Sequence, residues 1–247
     1  MRKMSIGLVP TSMSTIPMLD ALKGIEQLDV KLHSEHNLST AITQSTFSHT
    51  FEPVLFKVRN YETGRELYDA EVGPREFTLY QIGARYQRTK LLTVALPGDK
   101  NDNPSSIGKI KHPTSHIKLI EYFKLDNSIK ARNVVDENNP RPVLEAEERY
   151  PCLMFLAKLF GFTFDSALYA VKYGSEVVAL IRPNITCIVD DYTYIVSFLK
   201  PDIGAQDQEV RTVILGLTML FTITKAHKEL AAMMMRCKKT SRPNGGI

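Results

Sequence analysis

From residue 53 to about residue 200 the chain repeats one pattern. Short runs in which apolar and polar residues alternate are separated by clusters of turn formers. The first such run lies earlier, where Leu28, Val30 and Leu32 alternate with Asp29 and Lys31. A period of two places successive side chains on opposite faces and predicts a strand. The stretch NLSTAITQSTFSHT (37–50) is polar and reads as a connection. After Pro53, VLFKVRN passes through YETG into RELYDAEVG, a hairpin in which Gly64 supplies the positive φ of the turn. The runs EFTLYQI, TKLLTVAL, SSIGKIK, HIKLIEYF, SIKARNVV, RPVLEAE, CLMFLAKLF, ALYAVKY, EVVALIRP and YTYIVSFL follow. Roughly twelve strands, with turn signals every ~8–12 residues, predict an all-β domain.

The pattern changes after LKPDIGAQDQEV. Asp207 stands as a candidate N-cap, with Glu209 in the first turn where the helix dipole favours an acid. Val210, Val213, Ile214, Leu217, Leu220 and Phe221 recur at helical spacing, while Leu215, Met219 and Ile223 fill the remaining sides. A helix apolar all round is buried, either in protein or in lipid. Length separates the two. Arg211 and Lys225 bracket thirteen uncharged residues, which as helix span about 20 Å, against a bilayer core of about 30 Å. The segment therefore reads as the buried core of a domain. The helical pattern runs on through AHKELAAMMMR, predicting a core helix over about 207–235. Its residues Val213, Ile214, Gly216, Leu217, Leu220 and Phe221 are the expected contacts with the strands.

Composition narrows the class. The chain has 247 residues, 43% hydrophobic and 23% charged, with a formal net charge of +4. That balance permits attraction to acidic partners without demanding it. Cys152, Cys187 and Cys237 are widely spaced and form neither a CxxC nor a disulfide framework, which points to a reducing compartment. The start MRKMSIGLVP is basic and then apolar, but Pro10 and TSMST end the apolar part early for a secretory signal. The expected organisation is a loose segment over 1–16, one domain over 17–236 and a basic tail over 237–247.

Motifs of covalent catalysis are missing from the sequence: it contains no GxSxG, HExxH, P-loop or GxGxxG. His33 and His36 are too sparsely accompanied for a metal site. In CIVDDYTYIVSF (187–198), Asp190 and Asp191 are candidate oxygen ligands for Ca²⁺, although a loop counted from Asp190 meets Tyr192 and Tyr194 where carboxylates are needed. RYQRTK (85–90) and RCKKTSR (236–242) are the basic clusters. Their Arg85, Arg88 and Lys90, and Lys238, Lys239 and Arg242, are candidate contacts for acidic headgroups. Elsewhere the basic residues are scattered and lack the interleaved aromatics of a nucleic-acid surface, and each of the two clusters reads more simply as a solvated surface.

Taken in order, these features resemble the phospholipid scramblases, within the larger tubby-like fold. MLDALKGIEQLDV is similar to that family's opening segment through Leu19, Leu22, Ile25, Gln27 and Leu28, with Glu26 where Asp is usual. FKVRNYETGRELYDAEVG is similar to its strand–turn–strand through Asn60, Gly64, Tyr68, Ala70 and Glu71. SSIGKIKHP resembles its Ile-Gly segment, and SEVVALIRP a second copy with Ala179 in place of glycine. IVDDYTYIVSF followed by EVRTVILGLTMLF resembles its signature of an Asp-led loop, a strand and an apolar helix containing Leu-Gly. The chain departs from the family in lacking cysteine clusters and a Pro-rich N-terminal region. It also carries Tyr192 at the second acidic position and an insertion at 204–207.

The resemblance implies a barrel of about twelve antiparallel strands, closed around a central hydrophobic C-terminal helix. It also implies ATP-independent movement of phospholipids between leaflets, with Ca²⁺ as the candidate ion and no covalent chemistry. The expected partners are membrane phospholipids and anionic surfaces, at the cytoplasmic face of a membrane, the plasma membrane first. The alternative from another class is an adaptor on the same barrel that binds acidic headgroups or other proteins.

Overall fold

The computed structural model describes residues 19–47, 51–82, 88–98, 102–134, 142–149, 168–184, 193–200 and 207–240. Twelve strands form one closed antiparallel barrel. They are β1 (Gln27–Leu32), β2 (Val54–Asn60), β3 (Glu66–Val72), β4 (Glu76–Ile82), β5 (Arg88–Ala95) and β6 (Ser106–Lys111), then β7 (Lys118–Leu125), β8 (Ser128–Asn133), β9 (Pro142–Arg149), β10 (Leu168–Tyr173), β11 (Glu176–Asn184) and β12 (Thr193–Phe198). Each strand pairs with its sequence neighbours, and β1 closes the ring on β12 with Leu28 opposite Val196 and Val30 opposite Tyr194. Closure leaves no sheet edge. The run CLMFLAKLF (152–160), expected as a strand, lies outside the described residues. The ring closes without it, because β9 pairs directly with β10.

Alternation decides which side faces inward. On β2, Val54, Phe56 and Val58 are buried while Leu55, Lys57 and Arg59 are less so. On β3, Tyr68, Ala70 and Val72 are the buried set. At the turn between these strands Gly64 takes φ +69. The Asn60 side-chain oxygen accepts the N–H groups of Glu62 (3.0 Å) and Thr63 (3.1 Å), as the hairpin requires.

Helix α1 (Glu35–Phe47) follows β1, so the expected connection at 37–50 is corrected for most of its length. Leu38, Ala41 and Ile42 sit three and four apart and pack on the core. With so few apolar residues among Ser, Thr and Gln, the helical period is hard to see. The hydroxyls of Thr43 and Ser45 are satisfied locally, by Ser39 O (2.8 Å) and Ile42 O (3.1 Å).

Helix α2 (Asp207–Phe221) runs through the barrel. Its residues from Val210 to Phe221 are all buried, including Val213, Ile214, Gly216, Leu217 and Leu220. The polar threonines of this segment are tolerable because their hydroxyls bond back one turn. Thr212 donates to Gln208 O (2.8 Å), Thr218 to Ile214 O (2.9 Å) and Thr222 to Thr218 O (2.9 Å). At Gly216 the helix packs tightly against the wall. A Cβ there would lie 2.6 Å from Ile110 Cδ1 and 2.8 Å from Tyr122 Oη.

Two expectations about this helix are corrected. One continuous helix to about 235 is not formed. A π turn over Thr222–Ala226 and a non-helical His227 (φ −122, ψ 69) separate α2 from α3 (Lys228–Thr240). After this break α3 packs back on the core through Leu230, Met233 and Met234, which are buried. The N-cap role of Asp207 also differs. Asp207 is already helical, and its Oδ2 accepts a bond from Arg211 Nε (2.8 Å) four residues on.

Candidate functional site

Antiparallel pairing gives the barrel two unlike ends. Around the entry of α2 lie the starts of β1, β3 and β5 and the 3-10 turn Asp20–Leu22. Arg211 fastens this end. Its guanidinium, fully buried, donates to Leu22 O (3.2 Å), Ile25 O (2.7 Å) and Lys200 O (3.1 Å), pairs with Asp207 and lies 4.3 Å from the Phe198 ring centroid. Arg211, which the sequence shows only as one bracket of the uncharged run, thus lies inside the fold. A buried guanidinium is tolerated when every face of it meets an acceptor or a ring.

At the other end, where α2 leaves the lumen, there is a cavity of about 460 Å³. Its walls are mostly apolar: Leu96 and Pro97 beyond β5, Ile107 on β6, Ile129 on β8, Phe221 on α2, and Ala231 and Met235 on α3. A linear set of polar groups sits within it. Lys225 Nζ donates to Tyr169 Oη, and Tyr169 Oη donates to Glu148 Oε1 (3.3 Å). The ammonium lies 4.6 Å from the Tyr169 ring centroid and 5.2 Å from that of Phe221. The two rings are themselves stacked at 4.5 Å, tilted by 40°. Aromatic faces attract a cation, so this pair positions Lys225 at the cavity wall. Lys124, exposed at the end of β7, adds a second ammonium to the lining.

A shallower groove of about 370 Å³ continues from the cavity and shares Asn127, Ser128 and Glu148 with it. Its remaining lining is Leu125, Asp126, Lys130, Glu145 and Glu147. Asp126 holds φ +51 at the β7–β8 turn, a left-handed position that Asp adopts more readily than bulkier residues. Lys130 Nζ is 3.4 Å from Glu145 Oε1, and Lys172 hydrogen-bonds Glu147 Oε1. That Lys172 bond, with its charge and that of Arg149 nearby, holds the Glu147 carboxyl below its ordinary value.

A separate charged cluster lies on the outer wall. Lys109 Nζ is 2.8 Å from both oxygens of Asp102. Glu121 accepts from Asn103 N (3.1 Å) and Arg132 Nη2 (3.2 Å), with Lys118 Nζ at 3.5 Å. Burial opposes the Glu121 carboxylate, but the Asn103 N–H, Lys118, Ser106 and Arg132 outweigh it and hold its pKa below the usual value. Each charge here has a partner already, so the cluster ties the β6–β7 region together rather than awaiting a ligand.

Of the residues expected from sequence to bind headgroups, Arg88 and Lys90 lie away from the cavity. Arg88 is at the start of β5, at the opposite end, where it pairs with Glu71 (3.0 Å) and Asp69 (3.7 Å) and lies over Tyr80 at 5.4 Å. Lys90 is exposed on the same strand, across from Tyr80. Lys238 and Lys239 belong to the last turn of α3. Arg85 and Arg242 lie outside the described residues, as do Asp190 and Asp191, the Ca²⁺ candidates. Among the described residues no three His, Cys, Asp or Glu side chains converge as a metal site.

Sequence reasoning missed Tyr169, Glu148 and Lys225 as a group. Glu148 was visible only as one of several acids in an exposed strand, and Lys225 only as the end of an apolar run. Spacing could not have joined them, because Tyr169 and Lys225 are 56 positions apart.

No described helix is long and apolar enough to cross a membrane. Comparison with known proteins returns no matching family model, no matching curated protein and no matching solved structure.

Proposed function

We propose that this protein works at a membrane surface, expected to be a cytoplasmic one, as a non-covalent phospholipid-binding barrel. The observation that carries the reading is the largely apolar cavity at the exit of α2, with the Lys225 ammonium in its wall. An apolar hollow with one convergent set of polar groups is the usual form of a small-molecule site. Here the polar set contains both a cation and a carboxylate, as an amphiphile with a charged head requires.

Binding is preferred to translocation for a physical reason. Headgroups crossing about 30 Å of hydrocarbon need a polar path. The lumen is occupied instead by α2, fastened at its entry by Arg211 and along its length by Tyr122. Scrambling of lipids between leaflets, with Ca²⁺ as the candidate trigger, is the second reading. The ordered resemblance of residues 17–224 to scramblases favours it.

Liposomes of phosphatidylcholine and phosphatidylserine carrying a fluorescent lipid test both. The expected result is co-sedimentation of the protein while dithionite quenches only the outer leaflet, near half of the signal, with or without Ca²⁺. Quenching that runs towards completion in the presence of protein would replace binding by transport. A Ca²⁺ dependence lost in Asp190→Ala would then assign the ion. Protein that stays in the supernatant with every vesicle composition would remove both readings.

A further inference from the structure

We infer that the ligand of the α2-exit cavity is a zwitterionic phospholipid head on a single acyl chain, its phosphate beside Lys225 and Lys124 and its ammonium in the acidic groove. The inference rests on the lipid-binding reading and adds the class of headgroup. It follows from the order in which chemistry is laid out along the two connected hollows. The deep part is walled by apolar side chains such as Ile107, Ile129 and Phe221, which suit an acyl chain. Its volume of about 460 Å³ falls in the ~300–1,000 Å³ range of small-molecule sites. The two ammonium groups, Lys124 and Lys225, line the same hollow.

Beyond them, across the shared Asn127, Ser128 and Glu148, the groove changes sign. It carries four carboxylates, Asp126, Glu145, Glu147 and Glu148, against Lys130. Lys172 and Arg149 flank Glu147 from outside that lining, and the balance is still anionic. Apolar, then cationic, then anionic is the complement of acyl chain, phosphate and ammonium in sequence. A fatty acid would leave the carboxylate groove unmatched, and a simple alkyl cation would meet the lysines first. Electrostatic complementarity of this kind selects among ligands that share a tail.

The test is calorimetric titration of the full chain with three probes below their micellar concentrations: palmitoyl lysophosphatidylcholine, palmitate and hexadecyltrimethylammonium. The lysophospholipid is expected to bind as one molecule per chain, about tenfold tighter than either single-charge probe. Glu148→Gln should weaken the lysophospholipid about tenfold while leaving palmitate equal or tighter. Lys225→Met should weaken both. Ala231→Phe, which fills the hollow from a half-buried position on α3, should weaken all three, and melting curves establish that each variant is folded.

Palmitate binding as tightly as the lysophospholipid, with Glu148→Gln without effect, overturns the inference, as does the lack of binding by any probe. Sedimentation with phosphatidylcholine vesicles separates this failure from that of the membrane reading. Protein that pellets with vesicles yet binds no lysophospholipid keeps the membrane role and loses the cavity assignment. Protein that binds lysophospholipid but no vesicle keeps the assignment, with a free lipid as its source, and loses the membrane role. Vesicle binding that disappears in Lys225→Met supports the assignment with the bilayer as the source.

Discussion

The phenolic hydroxyl of Tyr122, on β7, donates a 2.6 Å hydrogen bond to the main-chain carbonyl of Val213 in the helix that fills the barrel. The two residues are 91 positions apart. Both are fully buried, so no water competes for the bond. Tyr122→Phe removes the hydroxyl and keeps the ring. It is expected to lower stability by about 1 kcal/mol, the usual net worth of such a bond. Urea denaturation measures it, and an unchanged midpoint would mean that the bond contributes nothing.

The same ring gives a signature at alkaline pH. Burial pushes the Tyr122 phenol well above 10, and burial raises Tyr68 to about 12 despite its bond from the Ala21 N–H. Both groups are neutral in the fold and ionise more readily in the unfolded chain. Their contribution is therefore complete below about pH 10 and is lost as pH rises beyond it. Melting temperature should fall from pH 10 towards 12. Tyr122→Phe should make that decline shallower, and equal slopes for the two proteins would contradict the prediction.

Gly216→Ala opposes two effects of similar kind. Alanine favours a helix by about 1 kcal/mol over glycine. Its methyl would meet Ile110 Cδ1 at 2.6 Å and Tyr122 Oη at 2.8 Å, and overpacking costs typically about 1–3 kcal/mol. The clash is expected to win, giving a net loss of roughly 1 kcal/mol in a thermal or urea melt. Gly108→Ala tests the wall from the other side, where a Cβ would lie 2.7 Å from both methyls of Leu220. The Leu220 methyls are ends of a side chain that can turn, so this variant should be the milder.

Arg211→Met takes the guanidinium donor away from the Asp207 carboxylate and from the Leu22, Ile25 and Lys200 carbonyls. Removing one partner of a buried pair costs about 3–5 kcal/mol, enough to unfold a domain of marginal stability. Arg211→Lys should not restore it. A single ammonium cannot reach Leu22, Ile25, Lys200 and Asp207 from one point as the planar guanidinium does. Circular dichroism and yield of folded protein decide, and a stable Arg211→Lys would show that charge alone suffices.

His227 sits between α2 and α3 with its ring 5.6 Å from Phe56, nearly edge-on. Burial lowers its pKa below 6.5, and Glu229 only partly offsets this. The neutral form is favoured in the fold, so its contribution is present above pH 6.5 and is lost as pH falls below it. His227→Phe should flatten the stability profile between about pH 6.5 and 5. An identical acid limb in the variant would remove His227 as its source.

Most of the architecture was legible in the chain because its rules are local. Alternation over 54–60 and 66–72 names strands and their inward faces without any tertiary knowledge. The thirteen uncharged residues between Arg211 and Lys225 are too few for a bilayer and too apolar for a surface. Those local rules predicted strands and a buried helix, and the resemblance to the scramblases implied the ring of strands around it. Less was legible where the signal was weak or the partner distant. Helix α1 has few apolar residues, of which Leu38, Ala41 and Ile42 pack on the core. The end of α2 was not legible either: the helix gives way to a π turn over Thr222–Ala226 and a break at His227.

Only tertiary structure decided the cavity and its charges. Glu148, Tyr169 and Lys225 come from two strands and the turn beyond α2, and they meet because the ring closes around the helix. The charge of Arg211, one bracket of the uncharged run in the sequence, becomes an internal fastening by the same closure. Periodicity fixes what each element turns inward. Which side chains then face one another depends on register, strand order and where the helix exits, and no local pattern carries those.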